Sequence, residues 1–133
     1  MIVYLDSGIV MSLVENRPIW GPPAAARIAA LRLDGHEFAV SDLTRLECFV
    51  GPIRAGNAAS LTDFRDYFSD PGVQTLALSP VVCDRAAEIR AMFGFKTPDA
   101  LHLAAAVEAG CDLFVTHDRH LGRFTGLSID VVS

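Results

Sequence analysis

The sequence predicts an α/β protein: a three-layer α/β/α sandwich with a short, mainly parallel central sheet. Apolar blocks alternate with amphipathic blocks along all 133 residues, so strands and helices are expected in alternation. The strand-like blocks are uniformly apolar, which is typical of parallel strands that helices cover on both faces. The length fits one domain, and we expect residues 1–133 to form it.

The strand candidates are short runs of apolar residues bounded by polar residues, glycine or proline. The first begins almost at the amino terminus and meets Asp6 directly. The run before Thr116 is followed by His117 and Asp118. The expected strands cover residues 2–5, 38–40, 73–78, 113–116 and 129–132.

Six helices are predicted between these strands, from apolar spacing and from residues that start or stop helices. Ser7 can cap the first helix. The third is expected to end near Phe49, because Gly51 and Pro52 follow. The sixth starts at Thr97-Pro98-Asp99, which combines a capping hydroxyl, a proline in the first turn and an acid near the positive end of the helix dipole. The expected spans are 7–15, 24–33, 42–49, 57–69, 80–93 and 97–109.

Composition excludes several classes of protein. Hydrophobic residues make up 51% and charged residues 20%, so extensive disorder is not expected. No apolar run approaches the roughly 18 residues that span a bilayer, and no signal peptide is recognisable, so we expect a cytoplasmic protein without a membrane partner. The three cysteines are odd in number and far apart, and we interpret them as buried free thiols. A net charge of −5 disfavours a protein that coats nucleic acid, but not an enzyme whose acids hold cations.

Two acids follow predicted strands and two lie in unusual helical settings. Asp6 and Asp118 would open at one edge of the sheet if their strands are neighbours. Glu47 follows Leu46 at the border of an expected buried stripe. Asp99 lies in the first turn of a helix too apolar for a surface position. The members of that stripe would be Leu43, Leu46, Phe49 and Val50.

Taken singly, each acid has a simpler structural interpretation. Asp6 and Asp118 can be helix caps, Asp99 can complement a helix dipole, and Glu47 can be a solvated helix residue. Taken together, four facing carboxylates would repel one another and need a divalent cation. Oxygen ligands favour Mg²⁺ or Mn²⁺ over zinc. Such ions activate water and stabilise charge on phosphate, so phosphodiester hydrolysis is the chemistry that we expect.

At these residues the sequence resembles the PIN-domain family, and within it the VapC-like toxins of bacterial toxin–antitoxin pairs. Four segments carry the resemblance, in matching order and spacing. The run Asp-Ala-Leu-His-Leu-Ala-Ala, followed by a strand that ends in Thr-x-Asp, is the most specific of the four. The segments are Val3–Ser7, Leu43–Glu47, Thr97–Ala106 and Leu113–Asp118.

The resemblance implies an Mg²⁺- or Mn²⁺-dependent endoribonuclease that cuts RNA with an activated water and without a covalent intermediate. It also implies a homodimer that a cognate antitoxin protein neutralises. Asp6, Glu47, Asp99 and Asp118 would be the catalytic residues, with Asp6, Asp99 and Asp118 as metal ligands. Ser7 and Thr116 match the small hydroxyl residues that orient those ligands.

Further details of the site are open at this stage. Many relatives carry another acid or an asparagine shortly after the last aspartate, whereas Arg119 and His120 follow Asp118 here. One or two ions are therefore both possible. His102, on the Asp99 face of its helix, and Arg119 are candidates for substrate contact.

Two other functions compete with the toxin interpretation. The first is a PIN-like nuclease of RNA processing, which the absence of accessory domains disfavours. The second is a noncatalytic, Mg²⁺-binding, receiver-like interaction module. A receiver would carry a pair of acids after its first strand and a lysine after its last central strand. Here Ser7 follows Asp6, and the only lysine, Lys96, precedes a helix.

Overall fold

The five strands form one parallel sheet, as the sequence predicts. The structure is a computed structural model that describes all 133 residues. The strand order is β3-β2-β1-β4-β5, so β1 is central and β4 is its neighbour. The strands are β1 (Ile2–Leu5), β2 (Glu37–Ser41), β3 (Val73–Leu76), β4 (Leu113–Thr116) and β5 (Ser128–Val131).

Six α-helices connect the strands, as expected, and one short 3₁₀ helix was not predicted. The 3₁₀ helix, Arg119–Arg123, follows β4 and Asp118. None of the helices combines the length and the apolar character that a membrane span requires. The helices are α1 (Ser7–Val14), α2 (Gly21–Leu33), α3 (Asp42–Ala55), α4 (Ala58–Phe68), α5 (Pro80–Phe93) and α6 (Thr97–Glu108).

Two hydrophobic cores lie on opposite faces of the sheet. Because successive strand residues point to opposite faces, Tyr4 enters one core and its neighbours Val3 and Leu5 enter the other. Helices α5 and α6 cover the Tyr4 face, where its ring stacks on Phe114 with 5.2 Å between centroids. Helices α1 to α4 cover the opposite face. This double coverage explains why the inner strands β1 and β4 are almost entirely apolar, whereas the edge strands β3 and β5 include polar residues.

Helix α3 differs from its prediction in length and in orientation. It continues through Gly51-Pro52 to Ala55 and ends at Gly56, whose φ of 65° suits a residue without a Cβ. Pro52 is buried inside the helix, although it cannot donate a backbone hydrogen bond there. The expected stripe was wrong for Leu46 and Val50, which are 60% and 41% exposed, whereas Leu43 and Phe49 are partly buried. The residues that the helix buries most are Thr44, Cys48 and Pro52.

Smaller differences concern element ends and cysteines. Asp6 rather than Ser7 caps α1, and α2 begins at Gly21 because prolines are tolerated in a first turn. Thr97 lies inside α6, and no side chain caps that helix. All three cysteines are free, but Cys83 is exposed, against expectation.

Candidate active site

The carboxyl end of β1 leads directly into the first acid of the site. Asp6 caps α1: its Oδ1 accepts a hydrogen bond from the Ser7 backbone N–H at 2.9 Å. Its Oδ2 accepts a second bond from the Thr116 hydroxyl at 2.7 Å. Both oxygens are therefore held, one from α1 and one from the end of β4. A role of Asp6 as a helix cap is compatible with a role as a metal ligand, since a capping carboxylate keeps lone pairs for other partners.

Thr116 connects the two acids at the strand ends. Besides donating to Asp6, its Oγ1 accepts from the Asp118 backbone N–H at 3.0 Å. Asp118 caps the 3₁₀ helix, because its Oδ1 accepts from the backbone N–H of His120 at 2.8 Å. Thr116 is fully buried whereas Asp118 is exposed. A single buried hydroxyl thus fixes the carboxylate of one acid and the backbone of the other.

Glu47 faces inward from α3 toward the same edge of the sheet. Its Oε1 accepts from the Ser7 hydroxyl at 2.7 Å and lies 2.6 Å from Nε2 of His102. Burial opposes ionisation of this carboxyl, but the bonds from His102 and Ser7 outweigh it. They hold the pKa of Glu47 below its ordinary value of 4.5. Glu47 is therefore ionised at neutral pH and has two fixed partners.

Asp99 is the acid that the structure leaves without a partner. It lies in the first turn of α6, half-buried, and its carboxylate accepts no hydrogen bond. Burial raises the pKa of Asp99, and the negative charges of Asp6 and then Asp118 raise it further. His102 counteracts this effect and Glu47 adds to it. The other three predicted acids therefore all act electrostatically on Asp99.

His102 is buried beneath the acids, so the predicted substrate contact is wrong for this arrangement. Its side chain is only 1% exposed, and its ring bridges Glu47 and the Tyr4 hydroxyl rather than reaching Asp99. The packing of α6 against the sheet turns this residue inward. Arg119, by contrast, is exposed beside Asp118 at the start of the 3₁₀ helix. Its contact with a substrate stays a prediction.

Sequence reasoning missed the polar residues beneath the site. The Tyr4 hydroxyl donates to Ser41 Oγ at 2.9 Å, lies 3.5 Å from Thr44 Oγ1 and lies 2.7 Å from His102 Nδ1. All four of these side chains are buried. The available signal was a tyrosine within an otherwise aliphatic strand, because a buried tyrosine hydroxyl needs a polar partner.

The side chains fit a divalent cation by chemistry more than by present geometry. No three of the acid, histidine or cysteine side chains already converge in a geometry that could hold a metal ion. Asp6 and Asp118 are engaged as caps, and Glu47 is engaged with His102. The donor set is nonetheless all oxygen, and Asp99 experiences uncompensated negative charge. A cation would relieve that charge if the Asp99 side chain rotates toward it.

Fold and site together define an α/β domain with an acidic site at the carboxyl edge of a parallel sheet. A family model described as "PIN domain" matches residues 3–127, so this chain belongs to the PIN domain family. This confirms the resemblance inferred from the four sequence segments. No curated protein matches the chain significantly.

Solved structures of low sequence identity share the fold. VapBC2 from Rickettsia felis, bound to a DNA fragment from its promoter, aligns over 100% of both chains with a TM-score of 0.81 and 16% identity. VapC20 from Mycobacterium tuberculosis, a Sarcin-Ricin loop cleaving toxin, aligns over 95% of this chain and 98% of its own, with a TM-score of 0.75 and 12% identity. VapBC-1 from nontypeable Haemophilus influenzae aligns over 98% of both chains, with a TM-score of 0.75 and 20% identity.

Proposed function

We propose that this chain is an Mg²⁺- or Mn²⁺-dependent endoribonuclease and the toxin of a toxin–antitoxin pair. The observation that carries the proposal is Asp99, a half-buried carboxylate repelled by Asp6 and Asp118 at the edge where parallel strands end. Such an arrangement is unfavourable for the fold alone, so it indicates a site that receives positive charge. Family membership supports the nuclease class, and the fold neighbours include a toxin described as cleaving the Sarcin-Ricin loop.

Each acid would have a separate task in the reaction. Asp6, Asp99 and Asp118 would hold the ion, which would supply a Lewis acid that activates water and offsets charge on the phosphodiester. Glu47 is ionised and fixed by two partners, so it can orient the attacking water or accept its proton. Ser7 and Thr116 keep Glu47 and Asp6 in place from beneath.

The partner proposals rest on the same neighbours. Several of them are structures of VapBC pairs, and another is described as a toxin–antitoxin complex. We therefore propose a cognate antitoxin that covers the acidic site. The resemblance found in the sequence is the basis for also proposing a homodimeric toxin and action in the cytoplasm on RNA. A PIN-like nuclease of RNA processing is the alternative within the family. Growth inhibition on induction, relieved by the gene product encoded next to it, separates the toxin from that alternative.

The test uses the purified full chain and a fluorophore–quencher RNA. We expect cleavage with Mn²⁺ or Mg²⁺ and none in excess EDTA. Asp6→Asn and Asp99→Asn should abolish cleavage and growth inhibition while the circular dichroism spectrum and Tm remain those of a folded protein. Asp66→Asn is the matched control, because Asp66 is an exposed acid on α4 outside the site, and it should retain full activity.

Two results would reject the proposal. Undiminished cleavage by both site variants would show that the acids are not the catalytic groups. Full activity of the wild-type protein in EDTA would show that no divalent ion takes part. A cleaving protein that leaves growth unaffected would instead support the RNA-processing alternative.

A further inference from the structure

A chain of buried polar side chains runs from the Tyr4 face of the sheet to Glu47. His102 is its central member: Nδ1 lies 2.7 Å from the Tyr4 hydroxyl and Nε2 lies 2.6 Å from Glu47 Oε1. Ser7 Oγ lies 3.2 Å from the same ring nitrogen and donates to the same carboxylate oxygen. Both nitrogens of a fully buried ring therefore have defined partners.

The chemistry of the partners of His102 determines which ring nitrogen must carry a hydrogen. A carboxylate only accepts hydrogen bonds, so Nε2 must carry the hydrogen that points at Glu47. A histidine with this role cannot turn without losing two short bonds in a buried environment, which is costly. The ring is consequently a rigid support whose one polar end is presented to an acid of the site.

Tyr4 fixes the other end of the ring. Its own ring stacks on Phe114, with centroids 5.2 Å apart and planes within 9°. Its hydroxyl is held by Ser41 at the end of β2. Tyr4 on the central strand therefore fixes the position of His102, and His102 in turn fixes the position of Glu47 on α3. Glu47 itself is only partly buried, and His102 and Ser7 are its two hydrogen-bond partners.

We propose that His102, supported by Tyr4, is a positioning residue that holds the Glu47 carboxylate in its working orientation. The inference rests on the proposed ribonuclease activity and extends it to residues that touch neither substrate nor ion. It differs from the substrate contact expected from the sequence. A side chain 1% exposed acts here through another side chain.

Two substitutions of the ring separate its two contacts. The amide of glutamine reaches about as far as Nε2, so His102→Gln can still donate to Glu47. The amide of asparagine reaches about as far as Nδ1, so His102→Asn keeps only the Tyr4 side. We expect His102→Asn to lower kcat by about 10–100-fold and to change KM by less than about threefold. For His102→Gln, we expect kcat to fall by less than about 10-fold, which is below the range expected for His102→Asn.

A double-mutant cycle distinguishes positioning from a purely structural role. If His102 acts through Glu47, then His102→Asn should change kcat by less than about twofold once Glu47→Gln is present. A structural defect would reduce kcat by the same factor in both backgrounds, and that result would overturn the proposal. Tyr4→Phe keeps the stacked ring and should lower kcat by about fivefold, the equivalent of one ordinary hydrogen bond. This variant tests the contact between Tyr4 and His102 if the histidine variants fold poorly. His36→Gln is the control for replacing a histidine outside the site, because His36 directly precedes β2 at the amino edge of the sheet.

A measurement without RNA keeps this proposal separate from the proposed function. Crystal structures of the wild type and of His102→Asn should show the Glu47 carboxylate displaced from Ser7 in the variant. An unmoved carboxylate would reject positioning even if the wild-type protein cleaves RNA. A displaced carboxylate in a protein that cleaves no RNA with Mn²⁺ would instead reject the ribonuclease activity and leave the positional inference standing.

Discussion

The strand side and the helix side of the active site hold their acids by different means. On the strand side, Asp6 and Asp118 each accept a backbone N–H bond, and Thr116 connects them. On the helix side, Glu47 depends on the side chains of Ser7 and His102. Asp99, also on that side, accepts no hydrogen bond and has a pKa raised by burial and by neighbouring acids.

This difference indicates which acids the fold determines and which respond to a bound ion. A carboxylate that caps a helix is placed by the backbone, whether or not a cation is present. A carboxylate whose surroundings are negative gains most when a cation arrives. We therefore expect the strand side to be the fixed half of the site and Asp99 to be the acid that moves most on metal binding.

The largest effect should come from the strand side. Asp118→Asn keeps an oxygen that can cap the 3₁₀ helix, so the fold should be retained. The loss of charge should lower kcat/KM with Mn²⁺ by more than about 100-fold, beyond the range typical of residues that only orient ligands. Near wild-type activity would show that Asp118 is a structural cap only.

The second effect tests the connection between the strand-side acids. Thr116→Val is nearly isosteric but removes the hydroxyl that donates to Asp6 and accepts from the Asp118 backbone. We expect kcat to fall by about 10–100-fold. Thr116→Ser should recover most of that loss, because the hydroxyl returns. If serine and valine variants lose activity equally, the hydroxyl does not orient the acids.

The third effect concerns pH and stability on the helix side. The pKa of Glu47 is lower in the folded protein than its ordinary value of 4.5, so its charge stabilises the fold above that pH. This stabilisation is lost as the pH falls through the lowered pKa. Glu47→Gln should therefore have a lower Tm at pH 7, by a few degrees for about 1 kcal/mol, and the gap should close in acid. A gap that is constant with pH would contradict the assignment.

The smallest effect is a change in stability without metal; it has the opposite sign and comes from Asp99. Its raised pKa favours the protonated form in the folded protein, so its contribution is favourable below the ordinary value of 3.8 and is lost as the pH rises through the raised pKa. Asp99→Asn should raise the Tm in EDTA at pH 7 by about 1–3 °C, a change of about 0.5 kcal/mol after solvent screening.

Metal addition sharpens the Asp99 comparison. Mn²⁺ should raise the Tm of the wild-type protein, because it binds the folded state. It should raise the Tm of Asp99→Asn less, since one ligand is missing. Asp66→Asn serves as the control for the loss of one surface charge. If it stabilises the protein as much as Asp99→Asn in EDTA, the effect comes from net charge and not from the acidic site.

The sequence predicted the elements of the fold better than the orientation of single helices. The apolar character of the strand candidates is a local property of the sequence. It was sufficient to predict a parallel sheet covered on both faces. The buried face of α3 was wrong because its apolar residues Leu46 and Val50 are exposed, while Thr44 and Cys48 fit the tight space against the sheet. Helical spacing gives a stripe of apolar residues, but only packing determines which stripe has room.

By itself, the sequence determined the strand–helix alternation and the identity of the four acids. Strand ends, helix caps and apolar spacing are properties of short segments of sequence. Only the tertiary structure brought His102 between Tyr4 and Glu47, residues that are distant along the chain. It also determined that Asp99 lacks a partner whereas Asp6 has two. Hydrogen bonds and charge interactions depend on distances of a few ångströms between remote segments, and no local pattern encodes those distances.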